Sequence, residues 1–253
     1  MYAEERQGEI ARQAREHGRV DVAELALVFS VSLETVRRDL TALERVGVLR
    51  RVHGGAVPAE RLRLEPALAV RAAERIAEKR RIAQAALAEL EGASTILLDG
   101  GSTTAQLAEL LPVGRELTVV TNALPVALAL GTRADLTVHL LGGRVRPRTL
   151  ATVDQACVDA LGDLCVDVAF LGANGISVAR GFTTADPAEA AVKRAMVAAA
   201  RRVVVLADAT KVGDDQFARF ARLEDVETLV TDNALDPRDA DALEAAGPRV
   251  VIA

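Results

Sequence analysis

The 253-residue chain is poor in aromatic side chains, with no tryptophan, one tyrosine and five phenylalanines. Large rings therefore cannot dominate its cores. Ala, Val and Leu must do so within a composition that is 50% hydrophobic, which suits helices alternating with buried parallel strands. No apolar run reaches the roughly 18 residues that a membrane span needs. The first residues, Met1-Tyr2-Ala3-Glu4-Glu5-Arg6, lack the basic-then-apolar order of a signal peptide. A cytoplasmic location without a membrane partner is expected. Two cysteines (Cys157, Cys165) and three histidines (His17, His53, His139) are scattered, with no C-x-x-C and no metal-ligand spacing. No metal or cofactor is expected, and both thiols are expected to be buried or half-buried.

A basic balance is missing too, since the net charge is −5. Its distribution matters more than its total. Residues 1–57 hold nine basic and nine acidic side chains, residues 58–81 seven and four, and residues 82–253 fifteen and twenty-three. The acidity belongs to the last stretch, and local fields rather than totals govern affinity for nucleic acid.

What is present begins at Asp21, a good N-cap with Glu24 three residues on. A short helix is predicted there, with Val22, Leu25, Ala26 and Phe29 on one face. Ser30 and Val31 break the period, and Ser32 caps a second helix from about Leu33 to Val46, stopped by Gly47. Val36, Leu40, Leu43 and Val46 form its inward stripe. Glu34, Thr35, Arg37, Arg38 and Thr41 face out. Val48-Leu49-Arg50-Arg51-Val52, His53-Gly54-Gly55 and Ala56-Val57 then read as strand, turn and returning strand. Two helices with a tight turn, followed by a wing, match helix-turn-helix geometry. An ordinary three-helix domain with a solvated charged face is the bland alternative; the wing with its paired arginines favours a reader of duplex DNA. The expected DNA-contacting residues are Ser32, Glu34, Thr35, Arg37, Arg38 and Thr41 on the helix, with Arg50, Arg51 and His53 on the wing.

The length favours two unequal domains. Residues 1–57 form the winged helix-turn-helix, 58–78 a linker and connecting helix, and 79–253 an α/β domain. Ala59 to Pro66 reads as linker, and Ala67 to Leu90 as two helices stopping at Gly92. Strands are expected near Thr95–Leu98, Leu117–Val120, Leu136–Leu141, Val166–Leu171, Val203–Ala207, Thr228–Val230 and Arg249–Ile252. Their alternation with helices implies a mostly parallel sheet.

Polar loops follow these strands: Asp99-Gly100-Gly101-Ser102-Thr103-Thr104, then Thr121-Asn122, Gly142-Gly143-Arg144, Gly172-Ala173-Asn174-Gly175 and Asp208-Ala209-Thr210-Lys211. Ligands of open α/β sheets bind outside the carboxyl ends of the strands. Glycines and a helix N-terminus favour an anion there. Hydroxyls of Ser102, Thr103 and Thr104 can meet phosphate oxygens, Lys193 and Lys211 can balance charge, and Asp99, Asn122 and Asp208 suit sugar hydroxyls. Any one polar loop is ordinary in an α/β protein, whereas five with matching chemistry describe a pocket for a small phosphorylated polyol. A nucleotide is disfavoured: no Walker lysine follows the glycines, and no G-x-G-x-x-G follows a strand. Glu189 and Lys193, four apart on one helix face, form either a surface ion pair or the rim of this pocket.

The chain resembles DeoR-type transcriptional regulators over nearly its whole length. The head agrees at Arg6, Val31-Ser32, Thr35-Val36-Arg37-Arg38-Asp39-Leu40 and Arg51-Val52-His53-Gly54-Gly55-Ala56. The second half agrees at Lys79, Ile82-Ala83, Asp99 with Ser102-Thr103-Thr104, Thr121-Asn122, Gly142-Gly143 and Phe170-Leu171-Gly172. It agrees again at Glu189, Lys193-Arg194-Ala195-Met196 and Asp208-Ala209-Thr210-Lys211. The resemblance implies a repressor of a carbohydrate-utilisation operon, with a C-terminal sensor domain similar in fold to ribose-5-phosphate isomerase. It also implies release from operator DNA by a phosphorylated sugar (fructose-1-phosphate or another) and assembly into homodimers or larger homo-oligomers. The family often has glycine where this chain has Thr152-Val153-Asp154-Gln155, and Asp154 is expected to cap the following helix. The rival reading is a sugar-phosphate isomerase fused to a DNA-binding head, with Glu189 or Asp99 as base.

Overall fold

The computed structural model describes residues 3–17, 20–45, 48–52, 54–58 and 67–253, with 3–5, 15–17, 45, 50–52, 57 and 58 described by backbone alone. It divides into two compact units, Met1–Glu65 and Pro66–Ala253.

In the first unit α1 (Ala3–His17) leads to β1 (Val20–Asp21), α2 (Val22–Phe29), α3 (Leu33–Arg45), β2 (Leu49–Val52) and β3 (Gly55–Pro58). This is a winged helix-turn-helix. The Asp21 side chain accepts from Ala23 N at 2.8 Å, Ser30 ends α2 with a left-handed φ of 52°, and Ser32 Oγ accepts from Thr35 N at 3.1 Å. Val36 and Leu40 are fully buried, with Leu25 and Leu43 beside them. The wing strands pair antiparallel from Leu49 opposite Pro58 to Val52 opposite Gly55. Val46, Gly47 and His53 lie outside the described residues.

Two elements add to the expected set. Helix α1 contributes Ile10, Ala11 and Ala14 to the core, an apolar stripe too thin to stand out in sequence. Strand β1 pairs with β3, Val20 opposite Ala56 and Asp21 opposite Gly55. A Cβ at Gly55 would lie 2.0 Å from the Val20 carbonyl oxygen, so only glycine admits the third strand. Helices α1 and α3 are joined by a buried ion pair, Arg6 Nε to Asp39 Oδ2 at 2.6 Å. Gln7 Nε2 donates to the other carboxylate oxygen at 2.9 Å.

The second unit opens with α4 (Leu68–Ala73) and α5 (Ile76–Ala86), then β4 (Thr95–Leu98), α6 (Ser102–Leu110), β5 (Leu117–Thr121), α7 (Leu124–Leu130) and β6 (Leu136–Leu140). A hairpin follows, β7 (Arg144–Arg146) and β8 (Ala151–Val153), then α8 (Gln155–Gly162), β9 (Val166–Gly172), β10 (Gly175–Ser177), β11 (Gly181–Thr184) and α9 (Pro187–Ala198). The last elements are β12 (Ala200–Leu206), β13 (Ala218–Ala221), β14 (Thr228–Thr231), α10 (Pro237–Ala246) and β15 (Arg249–Ile252). All seven expected strands pair parallel, in the order β15-β14-β12-β9-β4-β5-β6. Successive residues of the central strands serve opposite faces: Ile96, Leu98, Val168 and Phe170 pack in one cluster, and Leu97, Ala169 and Leu171 in the other. Burial on both faces is why these strands read as unbroken apolar runs. The 58–78 stretch is not all connector, because α4 belongs to this unit, with Leu68 N donating to Arg148 O at 2.7 Å. The β7–β8 hairpin and the small sheet β10-β11-β13 are further additions. Cys157 is buried, whereas Cys165 is exposed, a correction to the expectation for both thiols.

Chain direction reverses between β4 and β9, where helices pass from one face of the sheet to the other. Asp167 fastens that junction at the amino edge. Its Oδ2 accepts from Ser94 N at 2.9 Å, Ser94 Oγ at 3.1 Å, and Thr95 N and Thr95 Oγ1 at 2.9 Å each. These donors hold its carboxyl well below the usual carboxylate range, so the charged form stabilises the fold. A depressed folded pKa gives stability that is fully present above the unfolded value of about 3.9 and lost as pH falls through the folded one. Chemical denaturation of this unit between pH 6 and 2 should therefore lose stability below about pH 4, and Asp167→Asn should flatten that loss. An unchanged acid slope in the variant would remove this role.

Candidate functional site

Two regions carry the expected chemistry, one in each unit. On the head, Glu34, Arg37, Arg38 and Thr41 are exposed along one face of α3, and Thr35 is half-buried. Ser32 Oγ lies 2.9 Å from Thr35 Oγ1, and Thr41 Oγ1 donates back to Arg37 O at 2.8 Å. Arg37 sits 3.8 Å from Glu34, while Arg38 makes no ion pair among the described residues. In the run Arg37-Arg38-Asp39-Leu40, the first two point outward and the last two inward. Arg50 and Arg51 stand on β2, described by backbone alone, and His53 lies outside the described residues.

In the second unit the carboxyl ends of β4 and β9 meet at the topological switch point, where this architecture usually has its ligand crevice. The buried Lys193 ammonium from α9 reaches this place. It pairs with Asp99 Oδ2 and donates to Gly172 O at 2.9 Å, and it lies 5.2 Å from the Phe220 ring centre. Gly172 N donates to the same Asp99 oxygen at 3.0 Å. Lys193 and Asp99 are 4% and 2% exposed, so neither is a surface charge. Beside them Glu189 accepts from Arg146 Nη1 at 3.1 Å and lies 3.2 Å from Thr184 Oγ1. Arg146 Nε also reaches Asp186 at 3.2 Å. Glu189 and Lys193 are thus buried residues with separate partners, which overturns the surface-pair reading. Arg146, Asn174, Thr184 and Asp186 were not singled out in the sequence. Arg146 is carried by the β7–β8 hairpin, which has no helix-or-strand period strong enough to announce it.

Helix α6 begins at Gly101 with no side chain capping it, which leaves the first-turn N–H groups open to a ligand. Ser102 and Thr103 sit on that turn, 9% and 8% exposed. Several expected ligand groups also bond within the protein itself. Thr104 Oγ1 donates to Asp99 O at 2.8 Å and Thr121 Oγ1 to Leu98 O at 2.7 Å. Asn122 accepts from Gly100 N at 3.1 Å and donates to Thr152 O at 3.0 Å. These three stitch the loops that shape the crevice, because a buried amide or hydroxyl must find a partner. Gly175 opens β10, where an added Cβ would lie 2.4 Å from Asp214 O, so its role is close packing. Gly142 and Gly143 are exposed at the start of the β7–β8 hairpin.

Asp208 lies further along the same edge and accepts from Thr210 N at 3.2 Å, with half-buried Lys211 on that turn. The buried Lys79 ammonium bonds Arg71 O and Glu74 O. Burial pushes its pKa down, the Asp208 carboxylate opposes that shift, and the Lys211 charge adds to it. Lys79, Lys193 and Arg146 are thus cations already engaged by carboxylates or carbonyls.

The N-terminal residues 6–61 match the model of the DeoR-like helix-turn-helix domain, and residues 74–233 that of the DeoR C-terminal sensor domain. The chain belongs to the DeoR family. Similar DeoR-type relatives include the HTH-type transcriptional regulator FruR of Bacillus subtilis, 37% identical over 92% of each chain. The HTH-type transcriptional regulator GlpR of Haloferax volcanii is 36% identical over 87% of this chain and 86% of its own. Among solved structures, ribose 5-phosphate isomerase A from Neisseria gonorrhoeae is 21% identical, with a TM-score of 0.38 over 53% of this chain and 52% of that one.

Asp154 occupies the N-cap position of α8 with φ 81° and ψ 179°. That backbone region is almost reserved for glycine. Its carboxylate makes no cap hydrogen bond. Instead it takes Arg144 in two bonds, at 2.8 and 3.2 Å, which corrects the expected capping role. Asp154→Gly should relieve backbone strain and raise stability by roughly 1 kcal/mol, since an exposed pair with Arg144 contributes little. A lower melting temperature in the variant would reverse that ordering.

Proposed function

We propose that this DeoR-family regulator is a repressor of a carbohydrate-utilisation operon whose hold on operator DNA is released by a phosphorylated sugar. The N-terminal half of α3 enters the major groove, where Thr35, Arg37 and Arg38 meet bases or phosphates, with Ser32, Glu34 and Thr41 beside them. Arg50, Arg51 and His53 on the wing hold the backbone or minor groove. The observation that carries this reading is the division of labour along α3, with Arg37 and Arg38 exposed while neighbouring Asp39 is locked to Arg6. A rigid helix then presents two arginines at fixed spacing. An arginine bidentate to guanine discriminates by about 1–3 kcal/mol.

The effector phosphate lies against the open first turn of α6, with Ser102 and Thr103 as hydroxyl donors. Lys193 and Arg146 supply positive charge after partial exchange of their carboxylate partners. Asp99 and Glu189 then face the sugar hydroxyls, and Asp208 and Lys211 extend the edge for a longer ligand. Fructose-1-phosphate and related sugar phosphates have suitable chemistry. The isomerase alternative is not favoured, because both family models and the similar relatives are those of transcriptional regulators. The regulator works in the cytoplasm as a homodimer or larger homo-oligomer on its operator.

Two measurements test this. Arg38→Ala, at an exposed position, should abolish the retarded band on the natural operator while leaving the melting temperature unchanged; unaltered binding would remove α3 from recognition. Calorimetry with fructose-1-phosphate and a panel of sugar phosphates should find one whose affinity falls roughly 5–150-fold when operator is bound, because coupling is reciprocal. Equal affinity with and without DNA would refute release by that ligand.

A further inference from the structure

Away from the crevice, a groove of about 230 Å³ is lined by Arg180, Arg219, Arg222 and Glu224, with Gly181 and Leu223 among its apolar and backbone surfaces. It reaches Leu223, just before β14, and Ala246, just before β15. It therefore opens toward the amino edge of the parallel strands, opposite the crevice. Three arginines converge here in a stretch of chain that is otherwise rich in acid.

Their convergence is built by the backbone. Arg219 and Arg222 are three residues apart, so in a regular strand their side chains would leave on opposite faces. The register of β11 against β13 shifts between Phe182 and Thr183, with Phe182 opposite Ala221 and Thr183 opposite Arg219. Phe220 is the extra residue of a bulge. The bulge lets Phe220 and Ala221 both turn inward, each 3% exposed, and leaves the flanking Arg219 and Arg222 both exposed. Arg222 is then fixed at the head of a tight turn, its N–H donating to Asp225 Oδ2 at 2.7 Å. Arg180 comes from the β10–β11 turn, where its N–H donates to Ser177 Oγ at 3.1 Å. Gly181 follows with φ 73°, and a Cβ there would lie 2.5 Å from Ala221 O, so the turn is held hard against β13.

The guanidinium groups are largely uncommitted. Arg222 pairs with Glu224 at 3.0 Å, and Arg180 reaches Phe217 O only at 3.5 Å. Arg219 has no side-chain hydrogen bond or ion pair among the described residues. Each guanidinium offers five N–H donors in a planar fork suited to carboxylate or phosphate.

We propose that this groove is a second anion-binding site, separate from the crevice, for a small molecule carrying phosphate or paired carboxylate groups. A bare phosphate would not fill it, since a water takes about 30 Å³ of liquid volume. The Glu224 carboxylate sets selectivity by releasing Arg222 only to a ligand of higher charge.

The test uses pyrophosphate as probe on the full-length protein, with binding followed by calorimetry. Wild type should bind, Ser102→Ala in the crevice should retain that component, and Arg180→Ala/Arg219→Ala should weaken it at least about tenfold, or 1.4 kcal/mol. Equal affinity in wild type and the double variant overturns the proposal, and so does absence of binding in wild type at millimolar pyrophosphate. Loss in Ser102→Ala with retention in the double variant would place the anion in the crevice and overturn it as well. If the double variant misfolds by circular dichroism, the exposed single change Arg219→Gln decides the question by the same criterion.

Discussion

An ammonium group removed from water must be met on every side. At the switch point of the second unit, Lys193 is met by the Asp99 carboxylate, the Gly172 carbonyl and the face of Phe220. Asp99 in turn is held by Gly172 N. This cluster ties α9 to the carboxyl ends of β4 and β9, the two strands between which the chain reverses. Removal of one partner would leave a buried charge uncompensated, a larger loss than the pair's own contribution. The position of α6, of the β7–β8 hairpin and of Arg146 on that hairpin all follow from where these strand ends lie. Under the proposed function, a charged ligand would meet counter-charges that are already arranged and would have to rearrange them to bind. Such a site can convert occupancy into a change of packing, the requirement for a sensor.

The head solves a similar problem on a smaller scale. Arg6 and Asp39 pair between α1 and α3, and Gly55 admits β1 against the wing. A short domain with few large apolar residues gains a defined orientation of α3 from these two devices. The exposed arginines next to Asp39 can then be presented without flexibility in the helix that carries them.

Much of this was legible in the residues. Period and capping placed α2 and α3, because Leu25, Val36 and Leu40 fall at helical spacing and Asp21 and Ser32 sit at their starts. The central parallel strands stood out because they are buried on both faces. Helix α1, strand β1 and the small sheet escaped, since two-residue pairings and thin apolar stripes leave almost no periodic trace. The candidate crevice was legible as a place but not as a division of roles. Thr121 and Asn122 have the chemistry of ligands, yet they bond Leu98, Gly100 and Thr152, which only the fold brings to them, while Thr104 bonds back to Asp99 at the start of its own helix. Arg146 was invisible for the converse reason: nothing near it in the chain marks it, and its partners Asp186 and Glu189 lie some forty residues on.

The strand order also has a kinetic meaning. Strand β4 is flanked by β5 and β9, and its pairing with β9 begins at Ile96 opposite Val168. The centre of the sheet therefore closes only across a long loop of chain, about twice the span of the Arg6–Asp39 and Val20–Ala56 contacts of the head. Loop closure precedes the contacts that reward it, and topologies rich in distant parallel pairings fold slowly. As the chain emerges from the ribosome the head can fold first, while β4 waits with one edge unpaired until β9 has been made. That interval is when an apolar strand such as Thr95–Leu98 is most open to wrong partners.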